Sequence, residues 1–473
     1  MKRRTKIVCT LGPATATRQK IFALAQAGMN VARLNCSHGN WEAKHQWVQW
    51  IREASEKFGP IAILVDLQGP KFRLGPMPVE GVKVGTGQMV TIGIDPQATI
   101  PLYKDAVYLA MKPGDKVLLG DGEVQLKLMA DLGDMFQARV LAGGLVQGRK
   151  GITLSGRSFD VPALTEQDKE DIKEAVKADA DFVALSYVKR AEDIALLAAE
   201  IETHGSDIRT VAKIETREAL HDLEAIIHES DAIMVARGDL GLQMDIEDVP
   251  AAQKNIITAC FHAGKPVITA TQMLESMLHA ARPTRAEASD VFNAILDGTD
   301  AVMLSGETAA GSYPIESVKV MVQLSRKAEK LMAFEDRLWE AKTADRVDNE
   351  TDAVGRAAVQ LAGQLKVKAI VTTSTSGTTP RLISRYRPKA PIYCACWNRK
   401  TRNFCSLVWG VEAADMVNPS TSEEAILAAI EAFKDQGKLK DGDKVVLTCG
   451  VPPGIPGSTN LILVETLGGD PPL

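Results

Sequence analysis

Short apolar segments alternate with amphipathic segments along the first two thirds of the chain. Each apolar segment is bounded by Gly, Pro or polar residues, which is typical of strands buried in a parallel sheet. The pattern predicts eight strands, at Lys6–Leu11, Val31–Cys36, Ile61–Leu67, Phe182–Val188, Val211–Glu215, Ala232–Ala236, Pro266–Thr271 and Ala301–Ser305.

Between these strands, apolar residues recur at the spacing of helices that bury one face. The predicted helices are Thr17–Ala27, Trp41–Lys57, Glu166–Lys177, Glu192–Thr203, Glu218–His228, Ala251–Ala263, Arg285–Leu296 and Ile315–Met332. Thr165 and Thr284 stand where N-caps belong. Glycines stand where C-caps belong, at Gly28, Gly59, Gly264 and Gly298. Eight such units predict an α/β fold, a closed (β/α)8 TIM barrel.

The alternation is interrupted after the third strand and restarts late in the chain. Residues 75–156 are rich in Val and Gly with turn signals, which predicts an inserted small β-barrel that can close over the barrel as a lid. Residues 342–350 are polar and predict a linker, beyond which strands and helices alternate again. The predicted domains are the barrel (1–70 and 158–341), the lid (71–157) and a C-terminal α/β domain (342–473).

Composition narrows the function classes. The 473 residues are 45% hydrophobic and 24% charged, as in ordinary globular proteins, and the net charge of −5 makes nucleic acid and anionic membrane poor partners. No apolar run reaches membrane-spanning length, and the first residues lead into a strand rather than a signal peptide. Seven cysteines without a C-x-x-C motif predict reduced structural thiols, so we expect a cytoplasmic protein.

Polar residues cluster where the predicted strands finish, which is where barrel enzymes carry their active sites. They are Arg33, Asn35, Ser37, Asp66, Lys213, Glu215, Arg237, Gly238, Asp239, Thr271 and Glu307. Lys213 and Glu215 are two residues apart in one strand, so their side chains point to the same face. Taken alone, this pair fits either a buried ion pair or a phosphate-handling site.

The cluster favours metal-assisted chemistry. Glu215 and Asp239 offer hard oxygen ligands on adjacent strands, which suits Mg²⁺ or Mn²⁺ with substrate oxygens and water completing the shell. Lys213 would neutralise a phosphoryl or enolate oxygen. The chain has neither an H-E-x-x-H zinc motif nor a Walker loop. Two rival readings are a metal-dependent lyase or aldolase acting on an oxo-acid, and a non-catalytic metabolite sensor.

Seven motifs spread over the chain carry a family resemblance. They are Lys6–Pro13, Ala32–Gly39, Asp66–Arg73, Ala212–Glu215, Arg237–Gly241, Ala270–Met277 and Met303–Ala309. In this order they closely resemble the motifs of pyruvate kinases over essentially the whole length. The resemblance implies phosphoryl transfer from phosphoenolpyruvate to ADP, giving pyruvate and ATP, by a homotetramer.

The resemblance also implies roles at the phosphoenolpyruvate site. Glu215 and Asp239 would ligate a divalent metal that bridges the substrate, and the backbone amides of Gly238 and Asp239 would hold its carboxylate. Lys213 and Arg33 would contact the phosphoryl group and stabilise charge on it and on the enolate.

Further roles follow for proton transfer and for the nucleotide. Thr271 would lie on the face where the enolate is protonated, through water. Asn35, His38 and Arg73 would help to bind ADP with its own metal, and Lys150 could reach the nucleotide phosphates.

One departure from the family concerns potassium. Most members read Asp-Thr-Lys-Gly-Pro-Glu and need a monovalent cation, whereas this chain reads Asp66-Leu-Gln-Gly-Pro-Lys71. Asn35, Ser37 and Asp66 match the family's potassium-ligand positions, but Lys71 replaces a carboxylate by an ammonium group. A tethered cation can replace a bound one, because an ion pair at ~4 Å is worth several kcal/mol at intermediate dielectric. We therefore predict activity without potassium.

The second departure concerns regulation. Thr373–Thr379 follows an apolar strand and precedes Pro380, a favoured first residue of a helix. The loop resembles the family's effector-phosphate loop, with candidate residues Ser374, Thr375, Ser376, Gly377, Thr378 and Thr379. Members that bind fructose bisphosphate place Trp and Arg on a later loop, but residues 450–460 contain no basic or aromatic residue. We predict a monophosphate activator, AMP or a sugar monophosphate.

Overall fold

The eight predicted barrel strands pair as a closed parallel barrel. The computed structural model describes residues 3–70, 72–120, 122–156, 161–332 and 349–468. The barrel strands are β1 (Lys6–Thr10), β2 (Val31–Asn35), β3 (Ala62–Asp66), β12 (Phe182–Leu185), β13 (Arg209–Ile214), β14 (Ala232–Ala236), β15 (Val267–Ala270) and β16 (Ala301–Leu304). Their side chains are almost entirely buried, which explains the continuous apolar runs.

Helices surround the barrel and bury one face against it. They are α1 (Arg18–Ala27), α2 (Trp41–Phe58), α4 (Glu166–Lys177), α5 (Ala191–Thr203), α6 (Arg217–His221), α7 (Leu223–Glu229), α8 (Arg237–Gln243), α9 (Val249–Ala263), α10 (Arg285–Asp297), α11 (Gly306–Ala309) and α12 (Pro314–Ala328). Thr165 and Thr284 are N-caps as predicted, and each forms a capping box. The four predicted glycine C-caps are also confirmed.

Several barrel elements differ from their predicted bounds: the helix predicted to end at Met332 ends at Ala328, and two further differences have a visible cause. The predicted helix Glu218–His228 is divided into α6 and α7 at Asp222, whose carboxylate accepts a hydrogen bond from the amide of Ala191 at 2.8 Å. The predicted strand Phe182–Val188 ends at Leu185, because Tyr187 adopts φ of 61°, which is incompatible with an extended strand.

The lid interrupts the barrel between β3 and α4 as predicted, and its β structure is arranged in two sheets. Its elements are β4 (Val82–Val84), β5 (Met89–Gly93), β6 (Ile100–Pro101), α3 (Ala106–Ala110), β7 (Lys116–Leu119), β8 (Val124–Asp131), β9 (Met135–Ala142), β10 (Gly144–Val146) and β11 (Ile152–Leu154). The lid has its own apolar core, against which Tyr187 of the barrel packs. The tip of the lid meets the barrel where Gly122 lies against Leu242 of α8.

The C-terminal unit is a five-stranded sheet with helices. Its elements are α13 (Glu350–Leu365), β17 (Ala369–Thr373), α14 (Thr378–Arg385), β18 (Ile392–Cys396), α15 (Arg399–Phe404), β19 (Val411–Asp415), α16 (Ser422–Asp435), β20 (Lys444–Gly450) and β21 (Thr459–Thr466). The order is β19-β18-β17-β20-β21, with only the last pair antiparallel.

Three C-terminal elements had no sequence prediction, namely α15, β19 and β21. The predicted linker lies largely outside the described residues; its last two residues, Asn349 and Glu350, cap and begin α13. The predicted domain boundaries remain predictions. Within the described part of the chain, no helix is both long and apolar enough to cross a membrane.

Candidate active site

A cavity of about 790 Å³ lies between the carboxyl ends of the barrel strands and the lid. Most of the predicted site residues line it, namely Arg33, Asn35, Ser37, His38, Asp66, Arg73, Lys150, Lys213, Glu215 and Asp239. Gly238 and Thr271 lie at the same end of the barrel but outside this lining. The structure therefore brings together side chains from widely separated parts of the sequence at the end of the barrel where the fold places active sites.

Lys213 is at the centre of the charged residues. Its ammonium lies 2.7 Å from Glu215 Oε1 and 3.3 Å from Asp66 Oδ1, which confirms that Lys213 and Glu215 share a face. It also donates a hydrogen bond to Ser186 Oγ at 2.6 Å. Burial by itself would lower the pKa of Lys213, but the carboxylates of Asp66, Glu215 and Asp239 outweigh burial and raise the pKa above its usual value. Lys213 is thus held as a buried cation.

Asp66 is held by two cations. Arg33 Nε donates to Asp66 Oδ2 at 2.6 Å, and Arg33 Nη1 donates to Thr10 Oγ1 at 2.9 Å. Burial opposes ionisation of Asp66, but Lys213 and Arg33 more than compensate, so the pKa of Asp66 lies below its usual value. Asp66 therefore stays ionised and fixes both cations in position.

Glu215 is a buried carboxylate held by Lys213 and by a backbone amide. Its Oε2 accepts a hydrogen bond from the amide of Tyr187 at 2.8 Å. Burial raises the pKa of Glu215, and the nearby charge of Asp239 raises it further, while Lys213 opposes the shift. Its environment thus disfavours the ionised carboxylate.

The residues present fit a divalent cation. Among the described residues, Glu215 Oε1 and Asp66 Oδ1 are buried oxygens without a hydrogen bond of good geometry, although the ammonium of Lys213 lies 2.7 Å and 3.3 Å from them. Three carboxylates, from Asp66, Glu215 and Asp239, face two cations, Lys213 and Arg33. A net negative cluster of carboxylates is the donor set that Mg²⁺ and Mn²⁺ prefer.

Thr271 and α8 form the other side of the barrel end. Thr271 has φ of 67°, an unusual conformation for a β-branched residue, and its hydroxyl accepts a hydrogen bond from the amide of Gly238 at 2.8 Å. A substrate carboxylate that reaches this amide must displace that bond. Arg237 is anchored by Asp290 at 2.7 Å and by the Thr271 carbonyl at 2.7 Å, so its role is to hold the loop.

Glu307, a further residue in the predicted cluster, also supports the backbone. Its carboxylate accepts hydrogen bonds from the amides of Leu274 at 3.0 Å and Ser305 at 2.7 Å, and its side chain is fully buried. Glu307 therefore fixes two loops beside the site.

Two residues of the site were missed by the sequence reasoning. Ser186 accepts the bond from Lys213 and donates to the Leu67 carbonyl at 2.8 Å, linking the ammonium to the loop after β3. Tyr187 holds Glu215 through its amide and has a buried hydroxyl without a hydrogen bond among the described residues. A signal was present, because Ser186 is a polar residue near the end of the predicted fourth strand, which had been assigned no site residue.

The predicted nucleotide residues come from both sides of the cavity. Arg73 belongs to the lid side, where its guanidinium donates to the Arg149 carbonyl at 3.0 Å and its backbone bridges to Gly151. Lys150 is exposed yet lines the cavity beside Arg73. The barrel contributes His38, whose carbonyl accepts a hydrogen bond from Lys44 at 2.7 Å. A ligand in this space would therefore touch the barrel and the lid together.

The three predicted potassium-ligand positions, Asn35, Ser37 and Asp66, lie close together. Lys71, which is predicted to take the place of the potassium ion, lies outside the described residues. Asn35 and Asp66 are register partners on β2 and β3, and Asn35 Oδ1 accepts a hydrogen bond from the Ser37 amide at 2.9 Å. All three face the same cavity.

The predicted effector loop joins β17 to α14. The amide of Gly377, with φ of 84°, donates to Ser374 Oγ at 2.8 Å, and the hydroxyls of Ser376 and Thr378 are 2.9 Å apart. α14 begins at Thr378, so Pro380 is its third residue rather than its first.

Neighbouring elements hold this loop on two sides. Thr379 Oγ1 lies 2.5 Å from Thr459 Oγ1, which places the loop before β21 alongside it. On the barrel side, Arg209 of β13 donates to the Ser376 carbonyl at 2.5 Å. The predicted effector loop and the later loop at residues 450–460 are therefore neighbours in space.

Comparison with known proteins agrees with this geometry. Residues 2–318 match the model of the pyruvate kinase barrel domain, and residues 352–465 match that of the pyruvate kinase alpha/beta domain. A pyruvate kinase of Geobacillus stearothermophilus is 42% identical over 99% of this chain and 81% of its own length. The enzyme of Corynebacterium glutamicum is 40% identical over 99% of both chains.

A solved structure gives the same result in three dimensions. The crystal structure of a pyruvate kinase from Cryptosporidium parvum superposes with a TM-score of 0.92 at 33% identity, covering 98% of this chain and 96% of that one. Because the family models match most of the chain and the relatives match nearly all of it, the chain belongs to the pyruvate kinase family of phosphotransferases.

Proposed function

We propose that this protein is a Mg²⁺-dependent pyruvate kinase whose catalytic centre is the cluster around Lys213. In the reaction, the bond between phosphorus and the enol oxygen of phosphoenolpyruvate breaks, and a bond to a β-phosphate oxygen of ADP forms. The enolate that is left takes a proton at carbon and becomes pyruvate. The observation that supports the proposal most is the buried ammonium of Lys213 between Glu215, Asp66 and Ser186, facing the cavity.

Glu215 and Asp239 are the residues that would hold the divalent ion. When bound, the ion would supply positive charge to the phosphoryl and enolate oxygens of the substrate. Two observations support this assignment: Glu215 Oε1 has no hydrogen bond of good geometry, and the cluster carries net negative charge. Tyr187 orients Glu215 for it through the backbone amide. Mn²⁺ has the same oxygen preference and would serve in its place.

Lys213 and Arg33 would contact the phosphoryl group in transit. Both are buried, and both are fixed by Asp66. Charge that is fixed in position before the reaction stabilises a transition state better than water does, because no reorganisation is needed. Ser186 positions Lys213. Thr271 would stand on the face where the enolate is protonated.

The other substrates would occupy the rest of the cavity. The amides of Gly238 and Asp239 would hold the carboxylate of phosphoenolpyruvate. ADP would bind to Asn35, His38, Arg73 and Lys150. Because Arg73 and Lys150 belong to the lid, their contacts with ADP would draw the lid towards the barrel. Closure over the nucleotide excludes water, which would otherwise accept the phosphoryl group.

A coupled assay tests this function. Phosphoenolpyruvate, ADP and Mg²⁺ are supplied together with lactate dehydrogenase and NADH, and pyruvate is followed as NADH loss. We expect pyruvate formation that requires ADP and the metal and yields equal amounts of ATP. Pyruvate formed from an oxo-acid without ADP would support the lyase reading, and no turnover with any of these substrates would support the metabolite sensor.

Potassium independence is a separate expectation. The purified protein in tetramethylammonium buffer should turn over at close to its full rate, because Lys71 puts an ammonium group where the family motif that begins at Asp66 has a carboxylate. The Lys71→Glu variant should lose most activity in that buffer and recover it when potassium is added. Strong stimulation of the unaltered protein by potassium would contradict the prediction.

We further propose that residues 374–379 bind the phosphate of a monophosphate activator. The half-exposed hydroxyls of Thr375, Ser376 and Thr378 support this, as does the lack of basic and aromatic residues in the adjacent loop, 450–460. We expect AMP or a sugar monophosphate to lower the KM for phosphoenolpyruvate, and the Thr378→Glu variant to lose the response because its carboxylate repels phosphate. Equal or stronger activation by fructose bisphosphate would contradict the choice of ligand.

The assembly and location are proposed from the family alone. We propose a homotetramer that acts in the cytoplasm in glycolysis. Light scattering of the purified protein measures the assembly directly.

A further inference from the structure

Three cysteine thiols meet in the C-terminal unit, away from the catalytic cavity. Cys394 and Cys396 are two residues apart on β18 and therefore point to the same face. Cys405 directly follows α15 and reaches the same point. The three sulfur atoms all lie within 4.8 Å of one another, and those of Cys394 and Cys396 are 3.5 Å apart. All three thiols are free and almost fully buried.

The spacing of these sulfurs matches that of a three-coordinate metal site. Metal–thiolate bonds of ~2.3 Å in a trigonal plane place the sulfurs about 4.0 Å apart. The sulfur separations in the structure, 3.5 Å for one pair and at most 4.8 Å for the others, bracket that value. Small side-chain rotations would therefore bring the three thiols into coordinating positions.

From this arrangement we infer that Cys394, Cys396 and Cys405 form a binding site for a soft monovalent metal ion, Cu(I). Thiolates select soft ions such as Cu(I) over the hard ions that bind carboxylates. Structural zinc takes four ligands. Among the described residues, the group of His, Cys, Asp and Glu ligand atoms at this point contains only the three thiols. A three-coordinate Cu(I) is satisfied by them, whereas zinc lacks a ligand.

Nearby charges suit the bound state. The cations of Lys6 and Arg209 act on Cys405. On coordination each thiol would release its proton, so three thiolates and one Cu(I) would carry a charge of about −2. The buried Lys6 and the half-buried Arg209, which also pairs with Asp231, offset part of that charge.

An ion can reach the site through a second cavity. This cavity, of about 860 Å³, lies between the barrel and the C-terminal sheet and is lined by Lys6, Arg402 and Cys405. Cys405 would meet an incoming ion first, and Cys394 and Cys396 lie behind it. The alternative is that the thiols only fill the core as small apolar groups. Cys260 is equally buried but is not part of the thiol cluster, so it serves as a matched control.

The experiment is an anaerobic Cu(I) titration of the full-length protein in competition with bathocuproine disulfonate, a chromogenic Cu(I) chelator. We expect one Cu(I) per chain, with X-ray absorption showing three sulfur neighbours. Cys405→Ser and Cys396→Ser should each weaken binding by more than about tenfold, since even the loss of an outer partner of a metal ligand costs that much. Cys260→Ser should bind as the unaltered protein does.

Several results would overturn the inference. They are failure of the unaltered protein to compete with the chelator, retention of Cu(I) by Cys405→Ser, or tighter binding of Zn²⁺ than of Cu(I). Cys405→Ala provides a second variant in case the serine variant misfolds, and thermal melting without metal checks each fold. Because metal retention is read directly, failure here is distinguishable from failure of the proposed kinase activity.

Discussion

Replacing Lys213 by methionine should lower kcat for pyruvate formation by about 10²–10³-fold, the usual cost of removing one preorganised charge-stabilising donor. Methionine keeps most of the volume of lysine but removes the ammonium that lies 2.7 Å from Glu215 and 2.6 Å from Ser186. The effect should appear mainly in kcat, because the charge that Lys213 stabilises develops most fully in the transition state. Steady-state kinetics in the coupled assay measure it.

Lys254→Met is the matched control for this substitution. Lys254 lies on α9 of the same barrel, but it is exposed and pairs with Asp297 on the surface. Such pairs contribute little, so its kinetics should match those of the unaltered protein. If Lys213→Met turned over within about threefold of the unaltered protein, Lys213 would have no part in stabilising the transferred group.

Replacing Glu215 by glutamine should abolish most activity at ordinary Mg²⁺ concentrations and leave a rate at least about 10²-fold lower at saturating metal. Glutamine has nearly the same shape but lacks the charge that would bind a divalent ion. It also leaves Lys213 with one carboxylate contact fewer. Rates measured over a range of Mg²⁺ concentrations, together with Mn²⁺ binding followed by electron paramagnetic resonance, separate lost affinity from lost turnover.

Glu224→Gln is the control for the charge change, because Glu224 is exposed on the first turn of α7. Its metal dependence should be unchanged. Normal Mn²⁺ binding by Glu215→Gln would show that Glu215 is not the ligand proposed.

Because the pKa of Glu215 is raised, the affinity of the protein for Mg²⁺ should depend on pH. In the metal-free protein a proton competes with the metal for this carboxylate, and burial favours the protonated form. The apparent affinity for Mg²⁺ should therefore fall as pH falls, beginning at a higher pH than for an ordinary glutamate. Protonation of Asp66 should cause no loss of Mg²⁺ affinity in that pH range. Lys213 and Arg33 together outweigh the burial of Asp66 and keep its pKa below the usual value.

Local patterns were sufficient for much of the architecture. Buried barrel strands read as continuous apolar runs, and surface helices read as amphipathic segments, because each pattern depends on which face of one element is buried. The capping boxes at Thr165 and Thr284 depend on residues three positions apart, and both form. The contact of Lys213 with Glu215 follows from strand alternation alone.

Tertiary structure decided features that depend on partners far along the chain. Asp222 divides a predicted helix because its carboxylate accepts a bond from Ala191, about thirty residues earlier. Ser186 joins the site because pairing of β12 with β13 brings it beside Lys213. Tyr187 and Thr271 adopt left-handed backbone conformations, which neither residue type favours. The surrounding contacts hold them in these conformations.

The sequence by itself thus determined the barrel, the inserted lid, the separate C-terminal sheet and the family, because periodicity and short motifs are properties of neighbouring residues. Only the tertiary structure decided which side chains meet. It made Lys213 a buried cation between Glu215, Asp66 and Ser186, and it brought Cys405 to Cys394 and Cys396. The physical reason is that distances between separate elements are set by closure and packing of the whole chain, which short stretches of sequence do not encode.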